Sequence, residues 1–536
     1  MDSDQFIKYY FNSKNLRYSK FLKNYKKKFL YKRSLYLKAI SYSLNKINNH
    51  NFSSYSYKFL IGPWLDEYIK IYLLRNYHFH KIRKKINIPK KKTILISSDF
   101  SDFIINSNDR NFNLNFFLSF LKLNFNFKKK FVDYKKNLNF YNKIKFFLYS
   151  YIIKILINNK TTLLINSKFN RSTILMLAIK SKFKILPFFC YDQYQFEINK
   201  KKSNINYRAV FKDELKKMLS NEESKLISEN IPSAYLENFE SFYMFSKKIF
   251  SKKPLNIFTT SSHLDDEILK FSLMHWGKNK PNILISQHGG NYSISNQYGL
   301  GHFDYEISNK YYTWGNKYRK KEIISNSQQV YNKFKEYKKN KSLYQKKYFT
   351  FILGPNIQYD FQRYVYQNVD YNKLYQARND FVKNFKKPDE IMFKKYHILR
   401  YPQQDKDNLI KKKLNIKLDQ ITNDSKIIYK SKVLIFDYFS TMFFEIVNMN
   451  IPFIFIIDRK NFYLSKEGEK LILFLKKNNL LFDNGIKAAQ YLNKIEDYDL
   501  WWNNINKKDL NKIKNNVANI RFKNLHFWLQ QFKNKK

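Results

Sequence analysis

The chain has 536 residues, of which 44% are hydrophobic and 19% aromatic. This is enough apolar material for full cores in roughly two to four domains, and it excludes disorder for most of the chain. The single cysteine, Cys190, excludes an intramolecular disulfide framework and a zinc site built from cysteines, and it favours a reducing, cytoplasmic compartment.

The formal net charge of +56 points to nucleic acid, anionic membranes or polyphosphate ligands as partners. However, the joint excess of lysine, asparagine, isoleucine, phenylalanine and tyrosine is typical of an A+T-rich genome, and the lysine clusters are scattered along the chain. We therefore expect peripheral contact with an anionic membrane rather than nucleic-acid binding. No membrane-spanning helix is expected, because the apolar window 146–158 is short and is interrupted by Lys154.

In chain order, a helix-rich segment precedes a series of short apolar strands that alternate with amphipathic helices. The first 90 residues are expected to form helices, with one abrupt loop at 62–64. The strands are continuous apolar runs, as expected for parallel strands that are covered on both faces. They are predicted at 93–98, 162–166, 183–189, 256–260, 283–287, 348–353, 396–400, 433–436 and 453–457.

This pattern predicts an α/β fold with two parallel-sheet domains and a cleft between them. Residues 1–90 are expected to form a helix-rich N-terminal cap, and residues 91–330 a first Rossmann-like domain. Residues 331–346 are expected to form a polar linker, and residues 347–536 a second Rossmann-like domain that includes the C-terminal helices.

The first domain contains a βαβ unit that leads to a histidine. After strand 256–260, Ser262 is expected to cap a helix that ends near Gly277, with Asp265 and Asp266 in a solvated first turn. The next strand runs into Gln287, His288, Gly289, Gly290 and Asn291. An imidazole beside two glycines at a strand end suits general-base chemistry, and the alternative is a tight turn with a hydrogen-bonded histidine.

The second domain contains a similar unit, in which strand 433–436 leads through Asp437 to a helix that starts at Ser440 and Thr441 and stops at Asn450. Two hydroxyls at a helix start suit phosphate binding, although simple helix capping is the commoner use of such residues. Arg400 could add a cation at a strand end, or form a surface ion pair. The sequence has no Walker, GxGxxG, HExxH or GxSxG pattern, and we expect neither a metal ion nor a cofactor.

The motifs in this order resemble a bacterial family of surface-polysaccharide (O-antigen) transferases first noted in spirochaetes. The resemblance rests on Ile-Ser-Gln-His-Gly-Gly-Asn-Tyr and Tyr-Tyr-Thr-Trp-Gly-Asn, and on four further segments. The six segments that carry the resemblance are 60–65, 261–267, 285–292, 311–316, 437–445 and 450–452.

More distantly, the pair of motifs is similar to the CDP-glycerol glycerophosphotransferases of teichoic acid synthesis, which have a GT-B fold. This resemblance implies His288 as the catalytic base, Ser440 and Thr441 as phosphate ligands, Asp437 in the same turn, and Glu445 near the donor nucleoside. Where those enzymes have a Lys-x-His-Pro segment, this chain reads Leu-Arg-Tyr-Pro at 399–402. That difference leaves a glycerol-phosphate donor in doubt.

The resemblance implies a GT-B-like transferase on the inner face of the cytoplasmic membrane. Its first domain, 91–330, would lie on the acceptor side, and its second, 347–536, would bind the donor nucleotide. It would move a glycosyl or polyol-phosphate group from a nucleotide-activated donor to a glycan or polyprenyl-linked acceptor. Two alternatives from other classes are a basic nucleic-acid-binding protein and a non-catalytic scaffold that keeps the transferase fold.

Overall fold

The computed structural model describes thirteen segments of the chain and seven single residues between them. The segments are 18–82, 92–107, 127–132, 151–188, 205–294, 300–317, 319–353, 371–395, 416–422, 424–459, 464–505, 507–520 and 524–532. The single residues are Phe112, Asn115, Phe116, Phe120, Ile144, Leu148 and Leu414.

The described strands form two six-stranded parallel sheets and one parallel pair. The pair is β1 (Lys92–Ser97) with β2 (Phe127–Val132). The first sheet has the order β4-β3-β5-β6-β7-β8, and the second has the order β11-β10-β9-β12-β13-β14. The first sheet comprises β3 (Thr162–Ile165), β4 (Ile185–Phe188), β5 (Asn256–Thr259), β6 (Asn282–Ser286), β7 (Lys310–Thr313) and β8 (Glu322–Ile324). The second comprises β9 (Tyr348–Ile352), β10 (Ile391–Lys394), β11 (Ile421–Thr422), β12 (Ser431–Phe436), β13 (Phe453–Ile456) and β14 (Leu481–Phe482).

Helices alternate with these strands along the chain. They are Tyr18–Asn48, Ser54–Ile82, Phe100–Asn106, Arg171–Lys180, Ile205–Lys216, Asn221–Asn230, Phe239–Ile249, Ser262–Asp265, Glu267–Trp276, Asn291–Ile294, Leu300–Ile307, Gln328–Asn340, Tyr371–Asn384, Thr441–Ile446, Lys466–Lys477, Gly485–Leu492, Tyr498–Asn503, Lys507–Val517 and Asn524–Phe532. In this part of the chain, no helix is long and apolar enough to cross a bilayer.

The prediction of an α/β, GT-B-like fold is confirmed, because two separate parallel sheets are present and loops at their carboxyl ends face each other. Strands β2, β7, β8, β10, β11 and β14 were not expected. They are short or carry charged residues, so no continuous apolar run marks them. The predicted strand 396–400, and also Cys190, lie outside the described residues.

The expected loop at 62–64 is wrong, because the helix Ser54–Ile82 runs through Pro63 without a break. Proline removes one backbone donor and normally ends or kinks a helix. Here every residue from Phe59 to Arg75 is buried, so packing on all sides holds the helix together. This helix packs on the first domain next to Glu267–Trp276 and Leu300–Ile307.

The prediction that Ser262 is the N-cap of the helix before β6 is also wrong. A single turn at Ser262–Asp265 comes first, and Asp266 is the N-cap of Glu267–Trp276, accepting a hydrogen bond from Leu269 N at 3.0 Å. Asp266 is buried, so the first turn is not solvated. The helix ends at Gly277, which has φ +52 as expected of a helix terminator.

The two sheets have separate cores, and the chain crosses between them twice. The helix Gln328–Asn340 occupies most of the predicted linker and leads from β8 to β9. The last helix, Asn524–Phe532, returns from the second sheet to the first. Its Trp528 is fully buried between Phe258 of β5 and Tyr312 of β7. The C-terminal helix therefore packs with the first sheet, although the boundaries drawn from the sequence assign it to the second domain.

Candidate functional site

The loop after β6 is held in place by the side chain of Gln287. Its Nε2 donates to the carbonyl oxygen of Gly289 at 2.7 Å, and its Oε1 accepts from Trp314 N at 3.1 Å. The backbone N–H of Gln287 also donates to Tyr312 O at 2.9 Å, which ties the strand end to β7. Gln287 is buried, whereas His288, the next residue, is half-buried. The loop therefore presents an imidazole from a turn that is anchored at both ends.

The loop after β12 is held by a buried ion pair. Arg378, on the helix Tyr371–Asn384, donates from Nε to Asp437 Oδ2 at 2.6 Å, and both side chains are almost fully buried. Ser440 is the N-cap of the next helix, and its Oγ accepts from Phe443 N at 3.3 Å. A hydroxyl that accepts one hydrogen bond still has its own proton to donate. Thr441, the first residue of the helix, is partly exposed.

These two loops lie against each other, so the two motifs singled out in the sequence come together. A Cβ placed on Gly289 would lie 3.4 Å from Thr441 Oγ1, in ordinary contact, and one on Gly290 would lie only 1.8 Å from the ring of Phe444. Neither glycine has positive φ, and Gly277 is the one glycine among the described residues that does. Gly290 is therefore required for the close approach of the two domains, not for the turn conformation.

The contact between the domains continues on one side of these loops. The backbone N–H of Ser465 donates to Ile294 O at 2.9 Å, and a Cβ on Gly468 would lie 2.4 Å from that carbonyl oxygen. Farther along, Asn519 N donates to Trp314 O at 2.6 Å. The carboxyl ends of β6 and β12 are thus held face to face by backbone contacts, the position at which open α/β sheets bind ligands.

Glu445 lies one helical turn beyond Thr441 and is buried. Its Oε1 accepts from Gln329 Nε2 at 2.6 Å, which joins the second domain to the helix Gln328–Asn340. Burial raises the pKa of the Glu445 carboxyl above its usual value, while Lys333, the bond from Gln329 and Lys394 oppose part of that shift. Burial likewise lowers the pKa of Lys394 at the carboxyl end of β10, and repulsion from Lys333 adds to it.

A second histidine lies in the first domain, on the turn after β5. His263 Nε2 is 2.7 Å from Asp304 Oδ1, and the exposed fractions of the two side chains are 1% and 0%. The ring of His263 stacks on Phe303. His263 falls within one of the segments that carry the family resemblance. Asp304 is supplied by the helix Leu300–Ile307, and no pattern in the sequence indicates this pairing.

The sequence motifs predicted the two loops, but they did not predict the residues that support these loops. Arg378, Gln329, Lys394 and Asp304 lie on elements that carry no recognisable motif. Arg400 lies outside the described residues, as do its neighbours in the predicted strand. Asn291 begins the short helix after the β6 loop.

Comparison with known proteins assigns the chain to a family. The profile of the LIC12162 family transferase matches residues 9–531. The chain belongs to this transferase family. Among solved structures, MurG from Acinetobacter baumannii is similar at 8% sequence identity with a TM-score of 0.35, over 70% of this chain and 99% of that chain. A search of curated protein sequences gives no significant match. The prediction of a transferase is confirmed.

The packing of Gly290 can be tested with its neighbour as the matched control. Gly290→Ala is expected to lower the stability by about 1–3 kcal/mol, because the added methyl group overlaps the buried ring of Phe444. Gly289→Ala should change it by less than about 0.5 kcal/mol, because its methyl group makes ordinary contacts. The midpoint of chemical unfolding measures both. Equal effects of the two substitutions would contradict the close approach of the two loops.

The raised pKa of Glu445 predicts a pH-dependent effect of Glu445→Gln. The folded state binds the proton more tightly than the unfolded state, so the wild-type protein loses stability as pH rises from the unfolded pKa to the folded pKa. Glutamine does not titrate and avoids this loss. The unfolding temperature of the variant relative to wild type should therefore increase from pH 4.5, the ordinary pKa of a glutamate carboxyl, to pH 8. Exposed Glu496→Gln is the control, and a relative unfolding temperature that falls over this range would show that Lys333 and Lys394 outweigh burial.

Proposed function

We propose that this transferase moves a glycosyl or polyol-phosphate group from a nucleotide-activated donor to a glycan or lipid-linked acceptor in surface-polysaccharide (O-antigen or capsule-like) biosynthesis. The observation that carries the proposal is the approach of Gly289 to Thr441. It places an imidazole from the first domain and two hydroxyls from the second on loops that touch. A transfer reaction needs a group that removes the acceptor's proton and groups that hold the donor's phosphates, and these loops offer both.

His288 is the general base of the proposed reaction. Its neutral imidazole takes the proton of an acceptor hydroxyl as that oxygen forms a bond to the anomeric carbon or the phosphorus of the donor. The bond from that atom to the nucleotide's phosphate oxygen breaks, and the nucleotide leaves with the electron pair. The imidazolium then returns its proton to solvent. Gln287 keeps the imidazole in place by anchoring the turn through Gly289.

Ser440 and Thr441 are the proposed ligands of the donor phosphates. The helix Thr441–Ile446 has only six residues, so we assign the contacts to the two hydroxyls and nearby backbone N–H groups rather than to a helix dipole. Asp437, fixed by Arg378, shapes the turn that carries them. Arg400 would add a cation, and Glu445, with Gln329, would lie toward the nucleoside. Hydrogen bonds and positive charge then stabilise the leaving phosphate.

The acceptor and the place of action follow from the proposed pathway. Glycans of this class are assembled on polyprenyl carriers, so the protein would act from the cytoplasm on the inner face of the membrane. The excess of positive charge would favour contact with anionic lipid there.

The role of His288 can be tested once the donor is identified by a thermal-shift screen against CDP, CMP, UDP, GDP and their sugar or polyol conjugates. His288→Ala should lower turnover by roughly 10²–10⁴-fold, with donor affinity retained, because a general base acts on the acceptor. Nucleotide release measures turnover, and calorimetry measures donor affinity. His275→Ala, which removes a histidine bonded to Tyr243 on an outer helix, should leave turnover unchanged. Full turnover in His288→Ala would remove this residue from the mechanism.

The phosphate site predicts a different result for Thr441. Thr441→Val keeps the shape of the side chain but removes a donor to a charged group, so the donor should bind roughly 10–100-fold more weakly. Thr441→Ser keeps the hydroxyl and should bind the donor nearly as well as wild type. Unchanged donor affinity in Thr441→Val would show that the phosphates lie elsewhere.

A further inference from the structure

A lysine at the carboxyl end of β10 is buried without a counterion. Lys394 is 6% exposed. Within the described part of the chain, its Nζ donates one long hydrogen bond, to Lys395 O at 3.5 Å, and forms no ion pair. Burial lowers the pKa of the Lys394 side chain and repulsion from Lys333 lowers it further, whereas attraction from Asp424 and Glu445 opposes part of that shift. A buried charge is normally paired and hydrogen-bonded, so this ammonium group is suited to bind an anion that the described residues do not supply.

The register of the second sheet places Lys394 on the same face as Glu445. Lys394 of β10 and Phe436 of β12 both pair with Ile352 of β9, so the three side chains leave the sheet on one face. The ring of Phe436 packs against Phe443, which lies on the same short helix as Glu445. The ammonium group of Lys394 and the carboxyl group of Glu445 therefore belong to one cluster on this face of the sheet.

Lys333 joins this cluster from the helix that leads from β8 to β9. Gln329, Asn332 and Lys333 share one face of that helix, because residues three and four apart are neighbours on a helix surface. Gln329 donates to Glu445 in the second domain, and Asn332 Nδ2 donates to Lys168 O in the first domain at 3.0 Å. Lys333 is half-buried and forms no ion pair within the described residues. Two cations and one carboxylate therefore meet where the carboxyl ends of the two sheets face each other.

We propose that Lys394 and Lys333 bind a phosphate of the nucleotide donor, next to the phosphate held by Ser440 and Thr441. The donor is then a nucleoside diphosphate derivative and not a nucleoside monophosphate derivative. Phosphate has several acceptor oxygens, so one group can take charge-assisted hydrogen bonds from two ammonium groups that otherwise repel each other. The identity of the donor rests on the proposed function, whereas the affinity of the two lysines for phosphate does not.

The strand spacing allows the two sites to hold adjacent phosphates. Lys394 is level with Phe436, the residue before the turn of Asp437, and one strand separates them. The two strands are therefore about 10 Å apart, which a lysine side chain and a diphosphate can bridge together. A metal ion would be repelled by the two ammonium groups, and an uncharged sugar would leave the buried charge of Lys394 unpaired.

Calorimetry with matched nucleotides tests the second phosphate site. Wild type should bind the diphosphate of its preferred nucleoside roughly tenfold or more tightly than the monophosphate, in the series CDP and CMP, UDP and UMP, GDP and GMP. Lys394→Met and Lys333→Gln should each lose roughly tenfold in affinity for the diphosphate and bind the monophosphate nearly as well as wild type. The matched control is Lys432→Met, which removes a half-buried lysine of β12 that donates to Glu390 Oε2 at 2.7 Å. It should leave both affinities unchanged.

The unfolding temperature separates lost binding from lost folding. Lys394→Met should unfold at the same temperature as wild type or at a higher one, because it replaces an unpaired buried charge with an apolar side chain. A lower unfolding temperature would show that the ammonium group is satisfied within the chain, and it would overturn the proposal. A preference for the diphosphate that survives in both lysine variants, or equal weakening of the monophosphate and the diphosphate, would also overturn it.

Inorganic pyrophosphate distinguishes this proposal from the proposed function. If no nucleotide binds wild type, but pyrophosphate raises its unfolding temperature and does so less in Lys394→Met than in Lys432→Met, the phosphate site stands and the nucleotide donor fails. If nucleotides bind wild type and binding depends on Thr441 but not on Lys394 or Lys333, the proposed function stands and the second phosphate site is wrong.

Discussion

The close approach of Gly290 to Phe444 is the constraint on which the relation of the two domains depends. The ring occupies the position that a side chain at residue 290 would need, so the two loops can meet only if that residue is glycine. Both loops follow central strands of their sheets, β6 and β12. This steric contact and the backbone contacts of Ile294 and Trp314 together align the carboxyl ends of the two sheets, and Gly289 and Thr441 come within contact distance.

Buried polar pairs hold each side of this contact. Asp437 is bound by Arg378, Glu445 by Gln329, and the turn of Gln287 by the end of β7. A buried charge is tolerated when it is paired and hydrogen-bonded, and removing one partner leaves the other unsatisfied. Such pairs add little net stability but specify one geometry, which a site made from two loops of separate domains requires.

The positive charge of the chain is not concentrated in one segment. Lysines scattered over both domains are the expected result of nucleotide bias, and long stretches without an acidic residue occur both at 5–65 and at 134–191.

The sequence by itself determined the class of the fold, the transferase family, and the strand ends that carry His288 and Ser440. These follow from local patterns: apolar runs, helix starts and short motifs. The tertiary structure decided which residues support them. Arg378 is 59 residues from Asp437, and Gln329 is 116 residues from Glu445. Pro63 stays inside a helix because its surroundings bury it, and Trp528 returns to the first sheet although a whole domain lies between. Contacts between distant residues depend on the path of the chain in space, which no local pattern encodes.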